Sequence, residues 1–380
     1  MIDFSLSKEQ QDLVEKYKDF TNRVIIPNRV KYDESTEFPW EVVKQAYKEG
    51  LMNGPVPVKF GGHGHNILNS ALASEEMGAG CIGIGISLDA NTLGLTPWLV
   101  GSSDEQMKKF MGELIEREAV TGYCLTEPNA GSDVAGIKST AIKKGDKYIL
   151  NGHKRFITNA EVATFLTVFA LTDPERGARS LSAFIVRADS PGIDIKPRLQ
   201  KMGQRGSVQN EIIFTDVEIP AENLIGEEGR GFVYAMKTFD RTRTGVAALS
   251  LGTARAAYEI SKDWAKNRIQ FGKPISANQA IGFMLAEMAT KVELARLITW
   301  KAAWYYDQGL KTPGTLSAMA KYYASDVAME VTTDAVQIMA GDGYSKEFPV
   351  EKMMRDAKLC QIYEGTNQVQ RLVISKGILK

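Results

Sequence analysis

Leu13, Tyr17, Phe20 and Val24 recur at three- to four-residue spacing behind Ser7 and Gln10, a pair spaced as a capping box. The chain therefore opens on an amphipathic helix, predicted to stop at Pro27, which has no N–H to continue it. Helical spacing resumes from Trp40 to Leu51, from Ile67 to Met77 and around Met107 to Ile115. From about Thr121 the period falls to two. Gly145-Asp146 separates two strand-like runs, and Asn151-Gly152 after Tyr148-Ile149-Leu150 predicts another hairpin turn. Ala163 to Leu171, Leu181 to Val186 and Glu211 to Ile219 are further strands. No helical pattern long enough for a crossover lies between them, which favours an antiparallel sheet or small barrel. Beyond Gly231 the helical period returns in long segments at 232–267, 279–307 and 317–339.

The predicted fold is α+β and multi-domain. An N-terminal helical domain spans 1–117, a central antiparallel, barrel-like β domain spans 118–228, and a C-terminal four-helix bundle spans 229–380.

Composition narrows the function classes. Lysine plus arginine and aspartate plus glutamate both total 46, so no net field points to nucleic acid or an anionic membrane as the main partner. Hydrophobic residues make up 44% of the 380, yet no uninterrupted apolar stretch is long enough for a membrane span. Cys81, Cys124 and Cys360 are far apart and odd in number, which argues against a disulfide framework or a cysteine metal site. The start at Met1 to Phe4 resembles no cationic leader, the end at Gly377 to Lys380 no peroxisomal signal, and the expected location is cytoplasmic.

Some motifs lead nowhere. Gly78 to Gly83 formally matches a dinucleotide-binding GxGxxG but follows a helical stretch, so a flexible interhelical loop is expected. His63 and His65 read as solvated loop histidines, with no further ligand to complete a metal site. With three histidines in all, a histidine-dependent hydrolase has little material.

Two segments carry chemistry. Tyr123 to Asp133 is dense in small and hydrogen-bonding residues where helices give way to strands; Thr126 and Ser132 supply hydroxyls, and Gly131 lets a ligand approach the backbone. Ile362 to Gln368 interrupts two helical stretches, Thr366 suits a helix cap, and Glu364 on that turn suits a proton acceptor. On the residues alone, an ordinary Pro-Asn-Gly connection and a solvated glutamate remain open.

Taken together, Leu125-Thr126-Glu127-Pro128 with Ala130 to Asp133, Arg268 with Phe271 to Ile275, Gln337 with Gly341 to Tyr344, Arg355 to Lys358 and Gln361 to Gln368 resemble the acyl-CoA dehydrogenase family over nearly the whole chain. The resemblance implies FAD between the β domain and the C-terminal bundle of a homotetramer. Tyr123, Leu125 and Thr126 would line the flavin, with Gly131 and Ser132 continuing towards the phosphate and the pantetheine arm. Phe156 stands where relatives have a tryptophan, and Thr158 keeps its matched position. Arg268, Phe271 and Gln279 would reach a neighbour's cofactor, Gln337 and Gly341 its adenosine side, and Thr366 and Gln368 its remaining edge.

The same resemblance assigns Glu364 as the base that removes the α proton while the β hydrogen leaves as hydride to the flavin, giving a 2-enoyl-CoA. The Glu364 amide would polarise the thioester carbonyl, with Tyr363 and Gly365 beside it. Some relatives carry the base on the helix that here holds Thr242, which cannot serve. Arg243 matches a position near the coenzyme's nucleotide end, its alternative being a surface cation. Asp89 interrupts an apolar region bordering the acyl cavity; it reads as a helix cap for Ala90 to Leu95 or as a pocket residue at the acyl end. Electron-transferring flavoprotein is the implied acceptor. An enoyl-CoA reductase running in reverse, or a flavin-bearing nucleic-acid binder, are the alternatives.

Overall fold

A computed structural model describes residues 5–310 and 313–379, so the readings made on Met1 to Phe4 and on Lys380 lie outside the described residues. Helix α1 (Lys8–Phe20) begins as its pattern predicts, with the Ser7 hydroxyl accepting from Gln10 N–H at 3.2 Å and the Gln10 side chain accepting from Ser7 N–H at 3.0 Å. It does not stop at Pro27. A wide π turn over Thr21–Ile25, closed by Ile26 N–H donating to the Thr21 carbonyl, leads into α2 (Ile26–Ser35), where proline sits at an early position that needs no N–H.

Next come α3 (Trp40–Lys48), α4 (Ile67–Gly101) and α5 (Asp104–Glu116), the last with its own capping box between Ser103 and Gln106. Helix α4 runs far beyond the predicted Met77 and is broken only at Cys81 (φ −167°, ψ 111°). Gly78 to Gly83 therefore lie inside a helix and not in a flexible loop. Packing explains these glycines. A Cβ on Gly78 would stand 2.3 Å from the Leu249 carbonyl oxygen, and one on Gly252 would stand 1.9 Å from that of Glu75. Both contacts join α4 to α6 (Gly231–Asn267), whose backbones touch because neither residue has a side chain.

The β region forms one sheet from β1 (Val120–Cys124), β2 (Thr140–Lys144), β3 (Lys147–Thr158), β4 (Ala163–Leu171), β5 (Leu181–Arg187), β6 (Ile193–Ile195) and β7 (Gln209–Pro220). The order is β1-β4-β2-β3-β7-β6, with β5 also on β4. Pairs β2–β3, β3–β7, β4–β5 and β6–β7 are antiparallel as predicted, while β1–β4 and the short β2–β4 contact run parallel. Gly145-Asp146 makes the predicted hairpin turn, with Lys144 opposite Lys147. Asn151-Gly152 does not. Strand β3 passes straight through it, slipping register against β7 between Leu150 and Gly152. Asn151 spends its side chain on Asp216, and a Cβ on Gly152 would meet the Ser139 hydroxyl at 2.1 Å, so the pair serves a bulge and a close approach.

A two-stranded ribbon, β8 (Ile269–Gln270) with β9 (Lys273–Pro274), separates α6 from α7 (Gln279–Asp307). Helices α8 (Pro313–Tyr344), α9 (Val350–Cys360) and α10 (Asn367–Ile378) complete the bundle around buried alanines such as Ala254, Ala302, Ala324 and Ala328. Helix α8 breaks at Ala340 (φ 53°, ψ −128°).

Candidate active site

Glu364 sits on the turn between α9 and α10, where two successive residues are left-handed, Glu364 at φ 51° and Gly365 at φ 91°. The second suits glycine; the first is costly for a side chain and persists only under restraint. Restraint comes from Gln370, whose side-chain amide donates to the carbonyls of Glu364 and Gly365 at 3.1 and 2.8 Å, and from Thr366, whose hydroxyl caps α10 by accepting from Val369 N–H at 3.3 Å. The Thr242 hydroxyl on α6 donates to Glu364 Oε2 at 2.7 Å. Burial pushes the Glu364 carboxyl up to about 7; the Thr242 bond and the charges of Arg243 and Lys321 oppose that rise, and the charge of Asp89 adds to it.

Glu364, Thr242, Arg241, Ser74 and Asp89 line one cavity. Asp89 lies within α4 and so is no cap. It accepts from the Ser74 hydroxyl at 3.3 Å, and burial raises it to about 6. A second cavity shares Ser70, Ser74, Asp89 and Thr92 and reaches His65. That histidine is half-buried and not solvated, with burial lowering its pKa to about 4, so it is neutral near pH 7. Arg243 is no surface cation either. It is 6% exposed, donates to Asp240 at 3.3 Å and directs its charge to the Glu364 turn. Tyr363 is half-buried, its hydroxyl 3.5 Å from Cys360 Sγ.

The other predicted segment follows β1. Leu125 is buried, Thr126 half-buried, and the chain then folds back through a bridge between Glu127 and Ala130. The Glu127 carboxylate accepts from the backbone N–H groups of Lys138 and Ser139 at 2.8 and 3.0 Å and from Lys154 Nζ at 2.9 Å; Lys154 also donates to the Leu125 carbonyl at 3.0 Å. Neither Lys154 nor this pairing was anticipated from the sequence. Lys154 shares its parity with the buried Tyr148 and Leu150, so the plain alternation of β3 turns this lysine into the core, and the inward face changes only beyond it, between Lys154 and Ile157. The loop tip is open: Gly131 and Ser132 are exposed, and a Cβ on Gly131 would meet nothing within 4 Å. The Tyr123 hydroxyl is sealed from solvent without a hydrogen-bond partner among the described residues. Phe156, in a second irregular stretch of β3 at φ 59°, keeps 54% of its surface exposed, and the Thr158 hydroxyl accepts from Gln209 at 3.1 Å.

Arg268, Phe271 and Gln279 cluster at the α6–α7 ribbon, with Phe271 97% exposed. Gln337 and Gly341 flank the break in α8, and Gln368 lies in the first turn of α10; all three are exposed. Glu364, Thr242 and Asp89 thus line one cavity, Arg243, Tyr363 and Tyr123 sense the Glu364 charge, Phe156 and Thr158 lie on β3, and the ribbon residues are exposed. Among the described residues no group of three histidine, cysteine or acidic side chains could hold a metal ion.

Residues 7–118, 122–217 and 229–379 match in turn the N-terminal, middle and C-terminal domains of acyl-CoA dehydrogenases. The chain belongs to the acyl-CoA dehydrogenase family. It is 43% identical to an acyl-CoA dehydrogenase of Bacillus subtilis (strain 168), over 98% of this chain and 99% of that one. It is equally identical, with the same coverage, to a cyclohex-1-ene-1-carbonyl-CoA dehydrogenase of Geobacter metallireducens. Butyryl-CoA dehydrogenase from Megasphaera elsdenii superposes with a TM-score of 0.96 at 40% identity over all of both chains. A chain from the electron transferring flavoprotein structure of Acidaminococcus fermentans does so at 0.97 and 42%, again over all of both.

As an acyl-CoA dehydrogenase the protein is an FAD-dependent oxidoreductase, and its residues fit that cofactor. The unpartnered Tyr123 hydroxyl, the open backbone at Gly131 and the exposed Phe156 ring are, respectively, a donor, a close-approach surface and a stacking face.

Proposed function

We propose that this acyl-CoA dehydrogenase converts an acyl-CoA thioester to its 2-enoyl-CoA, with Glu364 as the base that takes the α proton. The observation that carries the reading is the Glu364 carboxyl itself, set in a cavity, oriented by Thr242 and raised to about 7. A carboxyl poised near the working pH is substantially ionised there, yet basic enough to take a carbon-bound proton. Bound FAD supplies the acceptor for the hydride that leaves Cβ. The chain's own part is to hold the thioester carbonyl at the Glu364 N–H, to keep water out and to carry the proton on the carboxyl.

In the same reading Tyr123, Leu125, Thr126, Gly131, Ser132, Phe156 and Thr158 cradle the cofactor. Arg268, Phe271, Gln279, Gln337, Gly341, Thr366 and Gln368 hold it across a homotetramer contact. A phenylalanine as exposed as Phe271, and the uncovered Phe283, Leu294, Leu297 and Trp304 of α7, support such a contact. Ser132, Arg243, Tyr363, Gly365 and Asp89 are the thioester-facing set, and the domain limits fall near 117 and 228. Electrons pass to electron-transferring flavoprotein, in keeping with the Acidaminococcus likeness. A cytoplasmic setting suits three buried free cysteines, and no helix of the described residues is long and apolar enough to cross a membrane.

Asp89 favours a second reading of the substrate. An acid sharing the cavity with Glu364, together with the Geobacter relative's name, supports an alicyclic acyl group whose ring lies beside Asp89. Anaerobic bleaching of the flavin by butyryl-CoA, isobutyryl-CoA, 3-phenylpropanoyl-CoA and cyclohexane-1-carbonyl-CoA, each of which carries an α hydrogen, separates these. Glu364→Gln is expected to keep flavin and ligand but to lose reduction by roughly a thousandfold. Near-parental reduction in that variant overturns the assignment of the base.

A further inference from the structure

We infer that Lys321 is a positioning residue for the base: its ammonium ties α8 to the left-handed turn that carries Glu364. The inference rests on the reading of Glu364 given above.

Lys321 is fully buried. Its Nζ donates to the Gly365 carbonyl at 2.8 Å and to Asn367 Oδ1 at 3.1 Å, the residues one and three places beyond Glu364. Asn367 is in turn held to α8, donating to Asp326 at 2.7 Å and to the Ser325 hydroxyl at 2.9 Å. The turn therefore has two clamps. Gln370 grips its carbonyls from within α10, and Lys321 anchors it to a neighbouring helix. Only the second reaches the turn's own backbone from another helix, alongside the side-chain ties of Asn367 to α8 and of Thr242 to Glu364.

Packing alone does not explain this lysine. Burying an ammonium is costly, and methionine would fill the same space without that cost. Both of its acceptors are neutral oxygens, one in the turn and the other on the first residue of α10. Burial lowers its pKa to about 8, opposed by Cys360, Glu364 and Asp326 and reinforced by Arg243. The groups that act on Glu364 are Thr242 and Arg243 from α6, Asp89 from α4 and Lys321 from α8, and the Tyr123 and Tyr363 hydroxyls in turn feel its charge. Of these, Lys321 alone combines a positive charge with a hydrogen bond to the turn's own backbone. A cation there favours ionised Glu364, so its removal raises the pH at which the base becomes active.

The test compares the flavin-loaded parent with Lys321→Met, Lys321→Gln and Glu364→Gln, using whichever thioester of the panel bleaches the parent fastest. Lys321→Met should keep flavin content and oligomeric state, shift the half-saturating thioester concentration less than threefold and slow reduction about 10- to 100-fold, the scale of a misplaced group. The acid limb of its pH–rate profile should move up by about half a unit. Lys321→Gln keeps a donor for Gly365 but no charge; it should recover part of the rate and retain the displaced limb. If Lys321→Met does not fold, Lys321→Gln decides by its limb alone. Parental rates and an unmoved limb overturn the inference, as does a rate loss that only tracks lost flavin. If Glu364→Gln itself reduces normally, the base assignment falls; if it is inactive while the lysine variants behave as parent, only the role of Lys321 falls.

Discussion

Asp89 and Glu364, from distant parts of the chain, line the same cavity, and the aspartate's negative charge raises the proton affinity of the glutamate. Replacing Asp89 with asparagine keeps the shape and removes the charge. The pH at which Glu364 becomes half ionised should then fall by roughly half a unit, moving the acid limb of flavin reduction downward. Stopped-flow reduction between pH 5 and 9 measures it. A limb that stays put would show that the two carboxyls do not sense each other. A loss confined to the cyclic thioester would support the alicyclic substrate, and equal losses for cyclic and linear ones would remove it.

The raised pKa of Glu364 also has a cost in stability, with a definite sign. An ordinary glutamate ionises near 4.5 and this one near 7, so between those values the folded state holds more protons than the unfolded state and stability falls as pH rises. Glu364→Gln removes that penalty. It should raise the melting temperature at pH 8, by on the order of 1 to 3 kcal/mol of stability, and leave it little changed at pH 5. Calorimetry at both pH values checks this, and equal effects would mean the carboxyl is less desolvated than its surroundings imply.

Lys154 and Glu127 form a buried ion pair beneath the proposed cofactor loop, at 0% and 8% side-chain exposure. Breaking it strands a charge. Lys154→Met should cost about 3 kcal/mol, and adding Glu127→Gln should recover part of that loss. Flavin is expected to leave Lys154→Met during heating before the bundle unfolds, because the pair also supports the Leu125 carbonyl and the strand into Ser139. Flavin fluorescence and circular dichroism recorded through one melt would show whether the two events separate.

Two glycines should respond in opposite ways to one added methyl group. At Gly252 the new carbon collides with the Glu75 carbonyl and forces α4 from α6, at a cost of about 2 to 4 kcal/mol. At Gly131 it meets open space, so stability should change by less than about 0.5 kcal/mol while flavin retention weakens. Chemical denaturation and flavin titration of the two alanine variants distinguish a packing glycine from a ligand glycine.

Local chemistry was legible where a motif is satisfied by its own neighbours. Ser7 with Gln10 and the turn at Gly145-Asp146 are set by contacts a few residues long. Motifs answered by distant chain were misleading. Pro27 looked like a stop because the π turn before it could not be foreseen, and Gly78 to Gly83 looked like a loop because the partner of Gly78 lies on α6, that of Gly80 in the π turn and that of Gly83 at Gln204. Asn151-Gly152 carries strong turn chemistry, yet Asp216 and Ser139 consume it from across the sheet. In the candidate site, motif order is what singles out Glu364 and the Tyr123–Ser132 loop. Lys154, Lys321 and Gln370, which hold those segments, were hidden because each acts through a side chain whose target lies on another element or behind a turn.

The contact between Thr242 and Glu364 bears on how this site could change over time. Side chains from a helix and from a turn converge to within 2.7 Å, so a carboxylate grown from position 242 would reach the same spot now served from position 364. The vacated turn would then accept glycine without protest, since its backbone already curls the way glycine prefers. On the proposed reading, the proton acceptor then has two interchangeable seats, and moving between them asks for two side-chain exchanges and no new fold.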